Sequence, residues 1–319
     1  MTEPRQPRLL GTAFALRDAF PWPEFVQLAR EGEGLGYAAV FLPEIGGQRD
    51  TLVALGGLAG ETEDLRLGTG IIPMSSRTPS LTAMAAATVQ ERSWGRLVLG
   101  IGTGPAVRGA LDRLRDLVLM IRRLLAGEVV QAEGQTLSLS LVPDVPVPIW
   151  MSALGPRAMR VAAEVADGVL LNWCTPERVH AARAAIQGAA VAAGRDPTDV
   201  TVAVYVRTSL GASEAECMLA LRTAAGEYAS YPAYARQFAL MGLEDEAAQA
   251  AAAHAAGRPD DVPEHLVRSV ALVGDPFAAR ERLDAYREAG ADLPVVYPVA
   301  TSGDPIGSVA RTLIAAMPV

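Results

Sequence analysis

Lysine is absent from this chain of 319 residues; all 28 basic side chains are arginines. Mechanisms that need a lysine amine or ammonium are excluded with it: Schiff-base aldolases, pyridoxal-phosphate enzymes and Walker-type P-loop NTPases. Positive charge is scarce as well. The net charge of −8, the pI near 5.1 and the lack of any basic run of five residues disfavour a nucleic-acid partner. Half the residues are hydrophobic, yet no apolar stretch reaches the ~18 residues that cross a bilayer, so no membrane partner is expected. The opening MTEPRQPRLL lacks the charged-then-apolar order of a signal peptide, which implies a cytoplasmic location. Only two cysteines occur, Cys174 and Cys217, and in a reducing compartment both are expected as free thiols.

What the sequence does contain is alternation. Short runs rich in Val, Ile and Leu at 8–15, 38–43, 65–72, 96–102, 148–153, 168–173, 201–207 and 293–299 read as buried parallel strands. Amphipathic stretches at 23–35, 50–62, 79–93, 108–126, 156–166, 176–193, 213–230 and 276–289 read as helices, with start signals such as Ser213 followed by Glu216. Eight strand-helix units predict an α/β fold, a (β/α)8 TIM barrel, and residues 1–319 leave about 70 over the ~250 typical of it, so one domain accounts for the chain. The excess falls in two places. VVQAEGQTLSLSL (129–141) alternates around Glu133-Gly134 as a β-hairpin before strand five. The Ala-rich segment 231–272 reads as a helical insertion before the eighth helix, either a lid or a subunit contact. A doubly wound open sheet is the alternative architecture, since the same alternation feeds both.

In such a barrel chemistry sits where the strands end. The residues there are Phe14, Glu44, Gly70-Ile71, Gly102-Thr103-Gly104, Ser152 to Arg157, Asn172-Trp173-Cys174 and Arg207. None of the three histidines is among them: His180 falls in a helix, His254 and His265 in the insertion. No triad and no zinc spacing is present, and no metal is expected. With so few proton-transfer groups, a bound cofactor must carry the reaction. Gly68, Gly70, Gly102 and Gly104 would let a flat ring approach the backbone, or are ordinary strand-to-loop turns. Gly155-Pro156-Arg157 opens a helix, and its free N–H groups with the arginine charge make a candidate anion site.

Two segments carry a family likeness: GTGIIPMSSRTPSLTAMAAATVQERSWGRLVLGIGTG (68–104) and PIWMSALGPRAMRVAAEVADGVLLNW (148–173). With LVGDPFAARERLDAYREAGADLPVVYPV (272–299) more loosely included, about two thirds of the chain resembles the bacterial luciferase-like monooxygenase superfamily, particularly its branch of F420-dependent oxidoreductases. The resemblance implies a (β/α)8 barrel with a late insertion, a homodimer, and a deazaflavin or flavin held noncovalently across the mouth. It implies a non-prolyl cis peptide forming a bulge behind the ring, here at Gly70-Ile71. It also implies that the cofactor's phosphate end lies at Ser152, Ala153, Leu154, Gly155, Pro156 and Arg157, with Thr103 and Gly104 beside the cofactor and Asn172 and Trp173 at the rim.

The departures narrow the chemistry. Relatives that oxidise sugar phosphates or secondary alcohols commonly carry a His after strand two, where FLPEIGG (41–47) offers only Glu44. Sugar-phosphate dehydrogenases follow GTG with Glu, where this chain has Pro105, and the passage from Gly104 to Leu111 is short. Sugar-phosphate oxidation is therefore disfavoured and a more open pocket expected. The leading reading is an F420-dependent oxidoreductase moving hydride to or from a small organic substrate, with Glu44 as catalytic proton donor or acceptor. An FMN-dependent monooxygenase is the alternative, in which Cys174 would be a thiol near the ring. A non-catalytic cofactor-binding barrel is the third.

Overall fold

The computed structural model describes residues 9–15, 20–104, 108–132 and 134–318. Its strands are β1 (Gly11–Ala13), β2 (Ala39–Leu42), β3 (Arg66–Thr69), β4 (Ile72–Pro73), β5 (Leu97–Gly102), β6 (Val130–Ala132), β7 (Gln135–Leu137), β8 (Ile149–Ser152), β9 (Gly168–Asn172), β10 (Thr201–Leu210), β11 (Ala271–Gly274) and β12 (Leu293–Pro298). The parallel ladder runs β1-β2-β3-β5-β8-β9-β10-β12 and returns from β12 to β1. That closure makes a TIM barrel and excludes the open sheet.

Helices α1 (Trp22–Gly34), α2 (Thr51–Leu58), α3 (Pro79–Arg92), α4 (Ala110–Leu125), α5 (Pro156–Val165), α6 (Pro176–Ala192) and α7 (Glu214–Ala229) each cover the strand before them. Most start on a side-chain cap, as the sequence signals require: Asp50, Thr78 and Thr175 accept a first-turn N–H, and Ser213 with Glu216 forms a capping box. After α7 come α8 (Pro232–Ala239), α9 (Glu244–Ala255) and α10 (Glu264–Val270), then α11 (Pro276–Glu288) and α12 (Pro305–Ala316).

Two expectations are corrected here. The helix expected at 276–289 is α11, which precedes the last barrel strand and follows the unexpected β11; the helix that covers β12 is α12, missing from the sequence-based set. β11 is only ALVG, and it forms because β10 runs three residues past its expected end to Leu210 and offers Arg207 to Leu210 as its partner edge. The hairpin is present, with Val130 opposite Leu137; Glu133 of its turn lies outside the described residues, as do Arg8 and Pro105.

Period-2 alternation divides the strands between two cores. Outward residues such as Val40, Leu99, Val169 and Val204 pack under the helices. Inward residues, among them Phe41, Val98, Trp150, Leu170, Tyr205, Val295 and Tyr297, fill the barrel. A third cluster joins α7 to the α8–α10 extension around Trp173, Leu221, Phe238 and Leu266. No described helix is long and apolar enough to cross a membrane.

Candidate active site at the barrel mouth

The third barrel strand is interrupted where the site begins. Gly68 pairs with Val98 and Ile72 with Ile101, so four steps along β3–β4 oppose three along β5, a bulge of one residue. Thr69 repairs the ladder: its hydroxyl donates to Gly100 O and accepts from Gly100 N–H, both at 2.7 Å. The bulged backbone leaves no room opposite, since a Cβ on Gly100 would lie 2.1 Å from Thr69 O. The Gly70-Ile71 peptide is cis, as the resemblance implies. Gly104, at φ +65°, holds a left-handed turn beside Pro73.

Gly68 and Gly70 serve the barrel itself. A Cβ on Gly68 would strike the Phe41 ring at 2.2 Å, and one on Gly70 the Tyr205 hydroxyl at 1.6 Å. Their small size therefore makes way for the chain's own aromatics, with Tyr205 donating to Gly70 O at 3.2 Å.

A single cavity of about 1460 Å³ opens at the strand ends. Glu44, Gly70, Ile71, Thr103, Gly104, Ser152, Leu154, Gly155, Pro156, Arg157 and Asn172 all line it, so the sequence reading had brought together most of one wall. Ala153 and Trp173 do not line it. Ala153 is turned into the core, 2% exposed. The rim position read for Trp173 is corrected: it is 0% exposed, at φ 51°, with its ring against Tyr228 and Phe238. Trp173 is the first residue past β9, and its left-handed backbone turns the ring away from the mouth into the cluster of α7 and α8.

At the far end of the cavity α5 starts without a side-chain cap, on Gly155, with Pro156 as its first residue. The N–H groups of Arg157 and Ala158 thus have no partner within the helix. α4 starts the same way, on Gly109. Arg157 bridges the two starts, its Nη2 3.0 Å from Asp112. Its charge is shared with that carboxylate, which sharpens the anion reading: the backbone donors of α5 are the uncommitted ones. Arg178 fixes the loop by donating to Leu154 O at 2.7 Å.

Glu44 reaches the cavity from the end of β2. Its N–H donates to Ile71 O at 3.1 Å, and its Oε1 accepts from Ser76. Oε2 is buried, 3.9 Å from Arg77 Nη1, with no hydrogen bond. Arg49, five residues on, does not pair with it and donates instead to Phe20 O. Cys174 is a packing thiol: burial pushes it up to about 12, and Gln237 Nε2 donates to its sulfur at 3.0 Å. No described histidine lines the cavity. Among the described residues no three His, Cys, Asp or Glu side chains cluster as metal ligands.

Of the wall opposite the bulge, only Arg207 was foreseen. Tyr205 and Arg207 from β10, Tyr297 from β12, Tyr228 from α7 and Tyr234 from α8 form it. The strand pair was legible in principle, since an aromatic and an arginine two apart share one face. The helical tyrosines carried no such signal.

A sequence profile of luciferase-like monooxygenases matches residues 3–293. The chain belongs to that family. It is 32% identical over 203 residues to the 5,10-methylenetetrahydromethanopterin reductase of Methanolobus tindarius, a match covering 60% of this chain and 62% of the relative. The chain therefore spans about three fifths of that relative's length. Among solved members of the fold, the coenzyme F420-dependent tetrahydromethanopterin reductase of Methanopyrus kandleri superposes with a TM-score of 0.77 at 20% identity, covering 98% of both chains. The oxygenating constituent of 3,6-diketocamphane monooxygenase of Pseudomonas putida, a type II Baeyer-Villiger enzyme in complex with FMN, gives 0.69 at 16% identity over 97% of each. Barrels of this fold thus include a coenzyme F420-dependent enzyme and one in complex with FMN.

Proposed function

We propose that the cavity holds coenzyme F420 and that the protein is an F420-dependent oxidoreductase moving a hydride between the deazaflavin and a small organic substrate. The extent of the cavity carries this reading. At about 1460 Å³ it exceeds the roughly 300–1,000 Å³ of a single-ligand pocket, and its lining runs from the β3–β4 bulge to the uncapped start of α5. One ring, its anionic tail and a substrate fit that span.

The deazaflavin, when bound, supplies the hydride chemistry; the chain supplies the rest. Gly70, Ile71, Thr103 and Gly104 would border the ring, with Asn172 on the adjoining wall and Trp173 supporting it from behind. Ser152, Leu154, Gly155, Pro156 and Arg157 would hold the phosphate through first-turn N–H donors, with Ala153 anchoring their loop in the core. Glu44 is the catalytic candidate for holding or moving a proton. Two copies would pair through α2 and α3, whose Val53, Leu81 and Met84 are exposed apolar residues.

Titrating the protein separately with oxidised F420 and FMN, followed by absorbance, tests the reading. F420 is expected to bind far more tightly. Preferential FMN binding would replace the reading with a flavin monooxygenase, and F420 binding without turnover of ketones, enones, imines or aldehydes would replace it with a non-catalytic binder.

A further inference from the structure

Arg207 is a cation placed where the barrel is otherwise aromatic. It is 3% exposed, and it forms part of the cavity wall. Its Cζ lies 3.6 Å from the Tyr297 ring centroid, 5.2 Å from those of Trp173 and Tyr228, and 5.7 Å from that of Tyr205. Nη2 donates to the Tyr228 hydroxyl at 3.1 Å. Nη1 is buried with no hydrogen-bond partner, and no described carboxylate forms an ion pair with the group. Aromatic faces attract a guanidinium but accept none of its in-plane hydrogens. The rings offset part of the cost of burying the charge, but Nη1 stays without an acceptor, and an anion on that edge would supply one.

We propose that Arg207 anchors a substrate subsite for a carboxylate, so that the substrate is an organic acid whose apolar body faces the tyrosine rings. A planar guanidinium matches a planar carboxylate. One unpaired cation matches its single charge better than the double charge of a phosphate monoester. Two hydroxyls add donors to the same wall. Tyr228 uses its oxygen to accept from Arg207, and Tyr234 uses its own to accept from Asn172 Nδ2 at 2.8 Å, leaving both hydrogens for an anion. Burial keeps Tyr234 in its protonated, donating form. That the bound acid undergoes hydride transfer rests on the F420 reading; the subsite does not.

Calorimetric titration of the full chain with benzoate and hexanoate, and with benzamide and hexanamide, with and without F420, tests this. At least one acid is expected to bind, and its amide to bind at least about tenfold more weakly. Arg207→Met is expected to weaken the acid by about tenfold to a hundredfold, to leave the F420 titration unchanged, and to unfold at the same or a higher temperature than the parent. Acid and amide binding alike, or neither acid binding in the millimolar range, would overturn the subsite, and both results come from the unmutated protein. So would an Arg207→Met variant that loses stability while binding the acid as before. Preferential FMN binding would overturn the cofactor reading and leave the acid-amide comparison standing.

Discussion

Arg96 and Arg207 both sit at an end of a barrel strand, the first just before β5 and the second near the mouth end of β10. Arg96 makes five hydrogen bonds, each of 2.9 Å, to Ser93 O, Thr62 Oγ1, Leu65 O, Ala59 O and Thr62 O. Every guanidinium donor is used. Its surroundings follow the same rule. Glu33 accepts the N–H groups of Glu63, Asp64 and Leu65, Asp167 that of Ile149, and Asp292 that of Val202. These carboxylates fasten the starts of β3, β8 and β10. At the mouth the pattern reverses: Arg207 has one hydrogen bond, and Glu44 Oε2 and Asn172 Oδ1 have none. One end commits its polar groups to the fold, whereas the other leaves them unpaired, which is where barrels of this kind place their chemistry.

The comparison breaks most readily at Arg96. Arg96→Met orphans four carbonyls and should cost roughly 3–5 kcal/mol, read as a lower urea midpoint, whereas Arg207→Met should lose none. Equal losses at the two positions would end the distinction. Glu44→Gln should next lower turnover about 100-fold while leaving the urea midpoint where it was; unaltered turnover would strip Glu44 of its proton role. The smallest change is expected at Arg157. Its pair with Asp112 is exposed on both sides, so Arg157→Ala should shift stability by less than about 0.5 kcal/mol and leave F420 bound through the α5 backbone. A collapse of F420 affinity would move the anion site from the helix start to the side chain.

Much of the fold was legible in the sequence, though the base end of the barrel with Arg96 was not. The strands at 38–43, 96–102 and 168–173 are long apolar runs that nothing else accommodates, and Gly155-Pro156-Arg157 announced a helix start without a polar cap. β11 escaped because ALVG is four residues and exists only by pairing with the overhang of β10. α12 was legible but not read: Asp304 followed by Pro305 is the same start signal as Thr175-Pro176 and Asp275-Pro276. Trp173 was misplaced because nothing in the sequence signals the left-handed turn that follows β9. The surroundings of Arg207 were the least legible part. They join the turn after β9 to β10, β12 and α7, residues 173 to 297, and depend on how α7 and the α8–α10 extension pack beside the mouth.

Phe41 fills the space that Gly68 vacates and stacks on Trp150, ring centroids 5.5 Å apart. Trp150 in turn occupies the space over Gly168. These rings form a plug behind the cavity floor: Phe41 packs edge-on against Tyr205, which lines the cavity with Leu170, while Phe41 and Trp150 themselves do not. A smaller side chain at position 41 would therefore loosen that floor from behind, without changing any residue that a guest touches.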